Sequence, residues 1–193
     1  MARPKEFVEE DVLQKATEVF WKKGFNGASM QDLVEAMGIN RASLYDTFGD
    51  KHHLYLSCLR QYQECNRRQV ADVMARSLSA RDRVRTMLMA LVDEAVHDED
   101  RKGCFLTNAA LERASEDPAT QQVVCRNLRA MEEELRDIIA RGQQSGEVDP
   151  DLSAPTLGQY FATLISGLRV RGKINPDRAI LEAMVDVALR VLD

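Results

Sequence analysis

The chain is poor in aromatic residues, at 6% of 193 positions, and in proline, which occurs five times. Few aromatics and no alternating apolar pattern argue against an all-β fold. A 45% hydrophobic share argues equally against disorder. Its four cysteines, Cys58, Cys65, Cys104 and Cys125, form no CxxC pair and share no ligand spacing with histidine. A disulfide framework and a zinc site are therefore not expected. Long apolar runs are missing too. The longest uncharged stretch, Leu152 to Leu168, is broken by Ser, Pro, Thr, Gly and Gln, and the first residues lack an apolar signal core. No membrane association is expected, and a reducing cytoplasm suits the chain. No GxSxG, HExxH, P-loop or GxGxxG motif occurs, so no enzyme activity, cofactor or metal is expected. The net charge of -5 argues against a nonspecific nucleic-acid or anionic-membrane binder, yet leaves room for a local basic face.

What is present reads at helical period almost throughout, and the expected fold is all-α with about nine helices. Val8, Val12, Leu13, Ala16, Val19 and Phe20 form one apolar stripe that ends at Gly24. Ser29 with Asp32 three residues on is a capping-box pattern opening a second short helix, which Gly38 closes. Asn40 caps a third, running to about Phe48, and Asp50 caps a long fourth toward Met74. Further helices are expected over about Arg81–His97, from Gly103, from Pro118 to about Gln144, over about Ser153–Gly172 and over Pro176–Leu192.

Two short helices joined by a Gly-containing turn are a helix-turn-helix arrangement. Its second helix would enter the DNA major groove. Arg41, Ala42 and Ser43 would then face base edges, Arg41 able to read guanine and Ala42 able to touch a thymine methyl. Leu44 and Phe48 recur at i, i+4 and should point inward, leaving the Tyr45 hydroxyl for a phosphate. Ser29 at the second helix's amino end and Lys51 at the fourth's are further phosphate candidates.

The stretch from Gly24 to Tyr55 resembles the DNA-binding domain of the TetR/AcrR family of bacterial repressors. The resemblance rests on Gly24-Phe25, Ser29, Ala36-Met37-Gly38-Ile39, Leu44-Tyr45, Phe48 and Lys51. It implies a homodimeric, all-helical repressor that binds palindromic double-stranded operator DNA and carries a C-terminal ligand domain. It adds Gln31 and Thr47 as DNA contacts. The implied division is residues 1–50 for DNA binding and 51–193 for sensing and dimerisation. Asp46 departs from the family pattern, which favours a neutral group there. It either accepts from a cytosine amine or is a solvated or cap-related acid. Arg3 and Lys5 precede the first helix and could reach a neighbouring groove or phosphate. Residues 1–51 hold seven Lys/Arg against nine Asp/Glu. DNA affinity should then rest on a few placed groups and show a modest salt dependence.

In the C-terminal part, Cys104, Asn108 and Glu112 fall at i, i+4 and i+8. Cys104 sits at a helix amino end beside Arg101-Lys102, where a thiolate is stabilised. It is either an electrophile or oxidant sensor, with Lys173 a conceivable amine partner, or a small buried hydrophobe. A reversible small-molecule effector is the competing signal. Its pocket would draw on Tyr62, Met87, Leu91, Phe105, Asn108, Glu112, Leu128 and Met131. Cys58 and Cys65 should pack or line that pocket, and Cys125 should be core. The last two helices carry surplus apolar residues, and Phe161, Leu164, Leu168, Leu181, Met184, Val185 and Ala188 are the expected dimer contacts. A dimeric small-molecule-binding module without DNA function is the alternative reading.

Overall fold

A computed structural model describes residues 8–193, excluding the side chains of Gln69, Val73 and Met74. Arg3 and Lys5 lie outside the described residues. Within them the chain forms nine α-helices, a short 3₁₀ turn and no strand. They are α1 (Glu9–Gly27), α2 (Met30–Met37), α3 (Arg41–Phe48), α4 (Lys51–Met74), α5 (Ala80–His97), α6 (Phe105–Arg113), α7 (Pro118–Gln144), α8 (Ala154–Ile174) and α9 (Arg178–Leu189). The all-helical expectation holds. Local caps explain most of the boundaries. Ser29 and Asp32 close a reciprocal capping box, and Gly38 ends α2 with φ +68°, a conformation that glycine adopts without strain. The Asn40 side chain accepts the Ser43 N–H at the start of α3.

Two apolar cores result. One joins α1, α2, α3 and the first half of α4, where Phe20, Leu33, Leu44, Leu54 and Tyr55 are essentially fully buried. Cys104, Phe105, Leu106 and Ala109 around α6 belong to this same core. The expected division after residue 50 therefore separates helices but not cores, because Leu54, Tyr55 and Leu59 complete the N-terminal one. The second core gathers α5, α7, α8 and α9. There α8 lies so close to α7 that a Cβ on Gly158 would meet the Glu132 carbonyl at 2.8 Å. No helix of the described residues is long and apolar enough to cross a membrane. All four cysteines are free, and no cluster of described His, Cys, Asp or Glu could hold a metal ion.

Candidate DNA-binding and effector sites

α3 is anchored by one face and presents the other. Leu44 is fully buried and Phe48 nearly so, whereas Arg41, Ala42, Tyr45 and Asp46 are exposed and Ser43 and Thr47 half-buried. The Arg41 guanidinium lies 5.9 Å from the Tyr45 ring centroid, so the two expected contacts share one outward surface. Asp46 lies on that surface as well.

Other expected DNA contacts are engaged within the protein. The Ser29 hydroxyl accepts the Asp32 N–H at 3.0 Å and donates to the Asp32 carboxylate at 2.8 Å, which also accepts the Ser29 N–H. Asp32 is held down at about 2, by its hydrogen bond from Lys23 first and those from Ser29 next. An ionised carboxylate thus occupies the amino end of α2, where a phosphate was expected. Gln31 is exposed and donates to Glu35 at 2.6 Å. Lys51 is half-buried, its ammonium 4.6 Å from the Phe25 ring centroid, and desolvation by burial lowers its pKa. Phe25 also meets the Arg113 guanidinium at 4.5 Å.

A cavity of about 720 Å³ lies between α1, α4, α5, α7 and α8. Of the expected liners, Tyr62, Met87, Leu91 and Met131 reach it. Phe105, Leu128, Cys104, Asn108 and Glu112 do not. Phe105 is 1% exposed, packed among Tyr55, Trp21 and Tyr62, and Leu128 is 39% exposed on the outside of α7. Sequence reasoning missed the contribution of α1, whose Gln14, Glu18 and Trp21 form part of the cavity wall. Trp21 is fixed by donating to the Gly103 carbonyl at 2.8 Å.

The polar stripe of α6 ties neighbouring elements together. Asn108 donates to the Lys102 carbonyl at 2.8 Å and accepts from Lys173 at 3.1 Å, tying α6 to α8. Glu112 accepts the backbone N–H groups of Phe25 and Asn26 at 3.0 and 2.9 Å. Those amides open the final turn of α1, just after Gly24, whose φ of +72° and ψ of 174° break the helix. A Cβ at Gly24 would meet a Glu112 carboxylate oxygen at 2.8 Å, so the glycine also makes room for this contact. Cys104 is the N-cap residue of α6 and 2% exposed, in keeping with the buried-hydrophobe reading. Tyr62 stands between it and the cavity. The phenol is pushed up in pKa by burial and by its neighbours Cys104 and Glu94. Lys173 packs its stem on Gly103, next to Cys104 in the chain.

One further expectation needs correction. Cys125 is exposed on α7 rather than core, because the inward positions of that helix are Thr120, Val123, Leu135, Ile138 and Ile139. Cys65 lines the cavity and Cys58 packs in the N-terminal core, as expected for this pair. His52 lies 2.7 Å from the Asp117 carboxylate and joins the start of α4 to the start of α7.

The expected dimer residues mostly face the wrong way. Phe161, Leu168, Leu181, Val185 and Ala188 are buried inside the chain, filling the core between α8, α9, α5 and α7. Leu164 and Met184 are half-buried at its edge. The outward apolar stripe is one residue over: Tyr160, Val170 and Ile174 on α8, and Ile180 and Val187 on α9. Gly167 lies within this stripe, with open space where its Cβ would be.

Comparison with known proteins finds relatives for both halves of the chain. Residues 12–58 match the model for bacterial regulatory proteins of the tetR family. Residues 80–188 match a tetracyclin repressor-like C-terminal domain. The HTH-type transcriptional regulator YezE of Bacillus subtilis (strain 168) is 34% identical over 196 residues, covering 100% of both chains. The HTH-type transcriptional repressor ComR of Escherichia coli (strain K12) is 26% identical over 188 residues, 96% of this chain and 88% of ComR. Among solved structures, the TetR family regulator CifR, as a cysteine mutant with a 26bp operator DNA, is 34% identical with a TM-score of 0.88. That match covers 99% of this chain and 100% of CifR. The reduced form of E. coli NemR shares the fold, with a TM-score of 0.87 at 14% identity. With both halves matched and YezE aligned end to end, the chain belongs to the TetR family of bacterial transcriptional regulators.

Proposed function

We propose that the protein is a transcriptional repressor that binds a palindromic operator as a homodimer and leaves it when a small molecule enters the cavity. The observation that carries this reading is the outward face of α3. Arg41, Ala42 and Tyr45 are held exposed by a capped, two-point-anchored helix, in a chain similar to CifR, whose structure contains operator DNA. A second copy would cover the outward stripe of α8 and α9, where Ile174 and Val187 are 66% and 62% exposed. Pairing through a two-fold axis sets two copies of α3 against successive major grooves.

Effector release follows from the cavity wall. Because α1 forms part of that wall, a ligand bears directly on the helix that carries the helix-turn-helix. Glu112 extends the same linkage from α6 to the end of α1. A ligand that fits only one spacing of the two α3 helices shifts the population away from the DNA-bound form. The burial of Cys104 behind Tyr62 favours cavity occupancy over attack on this thiol by an electrophile. Four free thiols suit a reducing cytoplasm, where such a protein meets DNA.

Fluorescence anisotropy with duplexes from the region upstream of the protein's own gene tests the reading. The wild type should bind, with a modest salt slope. Arg41→Ala should lose about 1–3 kcal/mol, the worth of one good base contact. Absence of binding, or binding indifferent to Arg41, would remove the DNA reading.

A further inference from the structure

The cavity wall is apolar over Met87, Leu91, Met131 and Ile165, with the rings of Trp21 and Tyr62 at one side. Set into it are four carboxylates, Glu10, Glu18, Glu94 and Glu134, against two guanidiniums, Arg67 and Arg169. Glu18 is already paired with Lys102 at 3.0 Å, and Arg67 with Glu64 at 3.4 Å. Glu10, Glu94 and Glu134 remain, with Arg169 acting on Glu94 and Arg67 on Glu134. Glu94 on α5 and Glu134 on α7 both line the cavity and accept no hydrogen bond from a described residue. Desolvation is the leading influence on both and raises the pKa of each. Neighbouring Arg169 only partly offsets it at Glu94, and Arg67 at Glu134. Carboxylates flanked by apolar surface and short of donors are costly until a positive charge joins them.

We propose that this cavity takes a lipophilic organic cation, an apolar body bearing a protonated amine or an onium centre, with Glu94 and Glu134 as its counter-charges. The inference rests on the cavity being the effector site and supplies the chemistry of the effector. Thioethers and aromatic rings suit a polarisable apolar body. A neutral ligand of the same shape would leave both carboxylates without a partner. An anion would meet the excess of negative charge.

Trp21 is the only tryptophan in the chain and lines the cavity, so its fluorescence reports occupancy directly. The probes are tetraphenylphosphonium and tetraphenylborate, which match in shape and apolar surface and differ in sign. The phosphonium should bind at least about tenfold more tightly, as expected for charges meeting at intermediate dielectric. Glu94→Gln with Glu134→Gln should reduce that preference to within about threefold. Glu134→Gln alone should reduce it partly and guards against misfolding of the double variant, which circular dichroism would reveal. Equal or tighter borate binding, no binding of either ion, or an unchanged preference in a folded variant would overturn the proposal. Operator binding by the protein without probe is measured separately, so failure of the repressor reading is distinguishable from failure of this charge preference.

Discussion

Replacing Glu112 by alanine should loosen the link between the sensing helices and the DNA-binding helices. Its carboxylate accepts two backbone N–H groups, at 3.0 Å from Phe25 and 2.9 Å from Asn26. A hydrogen bond to a charged group contributes about 1.5–3 kcal/mol. The Asn26 bond is exposed, so water replaces it at little cost. The Phe25 amide is partly buried and would be left short of an acceptor. The net loss should be about 2 kcal/mol, most of it from Phe25. For a chain of this size that corresponds to a fall in Tm of about 4–8 °C. Operator affinity should fall too, because Phe25 touches Lys51 and because α1 carries the helix-turn-helix. Glu112→Gln keeps one acceptor oxygen and should lose about half as much stability. Gly24→Ala should cost more than either, since its methyl group would strike the Glu112 carboxylate at a backbone angle that disfavours side chains. Differential scanning calorimetry beside operator titrations measures both effects. A Glu112→Ala protein with unchanged Tm and unchanged operator affinity would refute the linkage.

Size-exclusion chromatography with light scattering should show that Val187→Asp yields a folded monomer, whereas Val185→Asp, placed in the core, unfolds the chain. Finding both variants dimeric and folded would contradict the assignment of faces. Maleimide labelling read by mass spectrometry should modify Cys65 and Cys125 quickly and Cys58 and Cys104 slowly, following their exposure. Fast labelling of Cys104 would reopen its sensor role. Burial opposes ionisation of Asp117, but hydrogen bonds from Thr120 and His52 prevail and hold it at about 2. Its folded pKa is therefore below its unfolded value of about 3.9. The stability it contributes is complete above that value and is lost as pH falls toward 2. The Tm gap between wild type and Asp117→Asn should then be widest near neutrality and shrink below pH ~4, and a gap constant with pH would count against it.

The helices were legible because their start and stop signals are local. The Ser29–Asp32 box, the Asn40 cap and the glycine at 38 each act within four residues, and the structure uses each as read. The α3 face was legible for the same reason, since Leu44 and Phe48 fix which side turns inward. The outward apolar face of α8 was misplaced because both neighbouring stripes of that helix are apolar. Positions 161, 165 and 168 point inward and 160 and 167 outward, only about 100° apart around the helix. Periodicity marks the stripe without saying which edge meets the core. Glu112 was misread for another reason. Its partners lie more than 80 residues away in a helix break that only the folded chain brings to it. The α1 side of the cavity was hidden similarly, because Gln14 and Glu18 look like solvated positions until α4, α5 and α7 pack beside α1 and form the rest of the wall.

The central claim is that two copies of α3 read a two-fold site on DNA. Nuclease footprinting of the protein on the DNA upstream of its own gene tests it most directly. The account predicts one protected region with inverted half-sites separated by about one helical turn or a multiple of it, lost in Arg41→Ala and weakened in Val187→Asp. A single unpaired half-site, or protection that persists in Arg41→Ala, would contradict it.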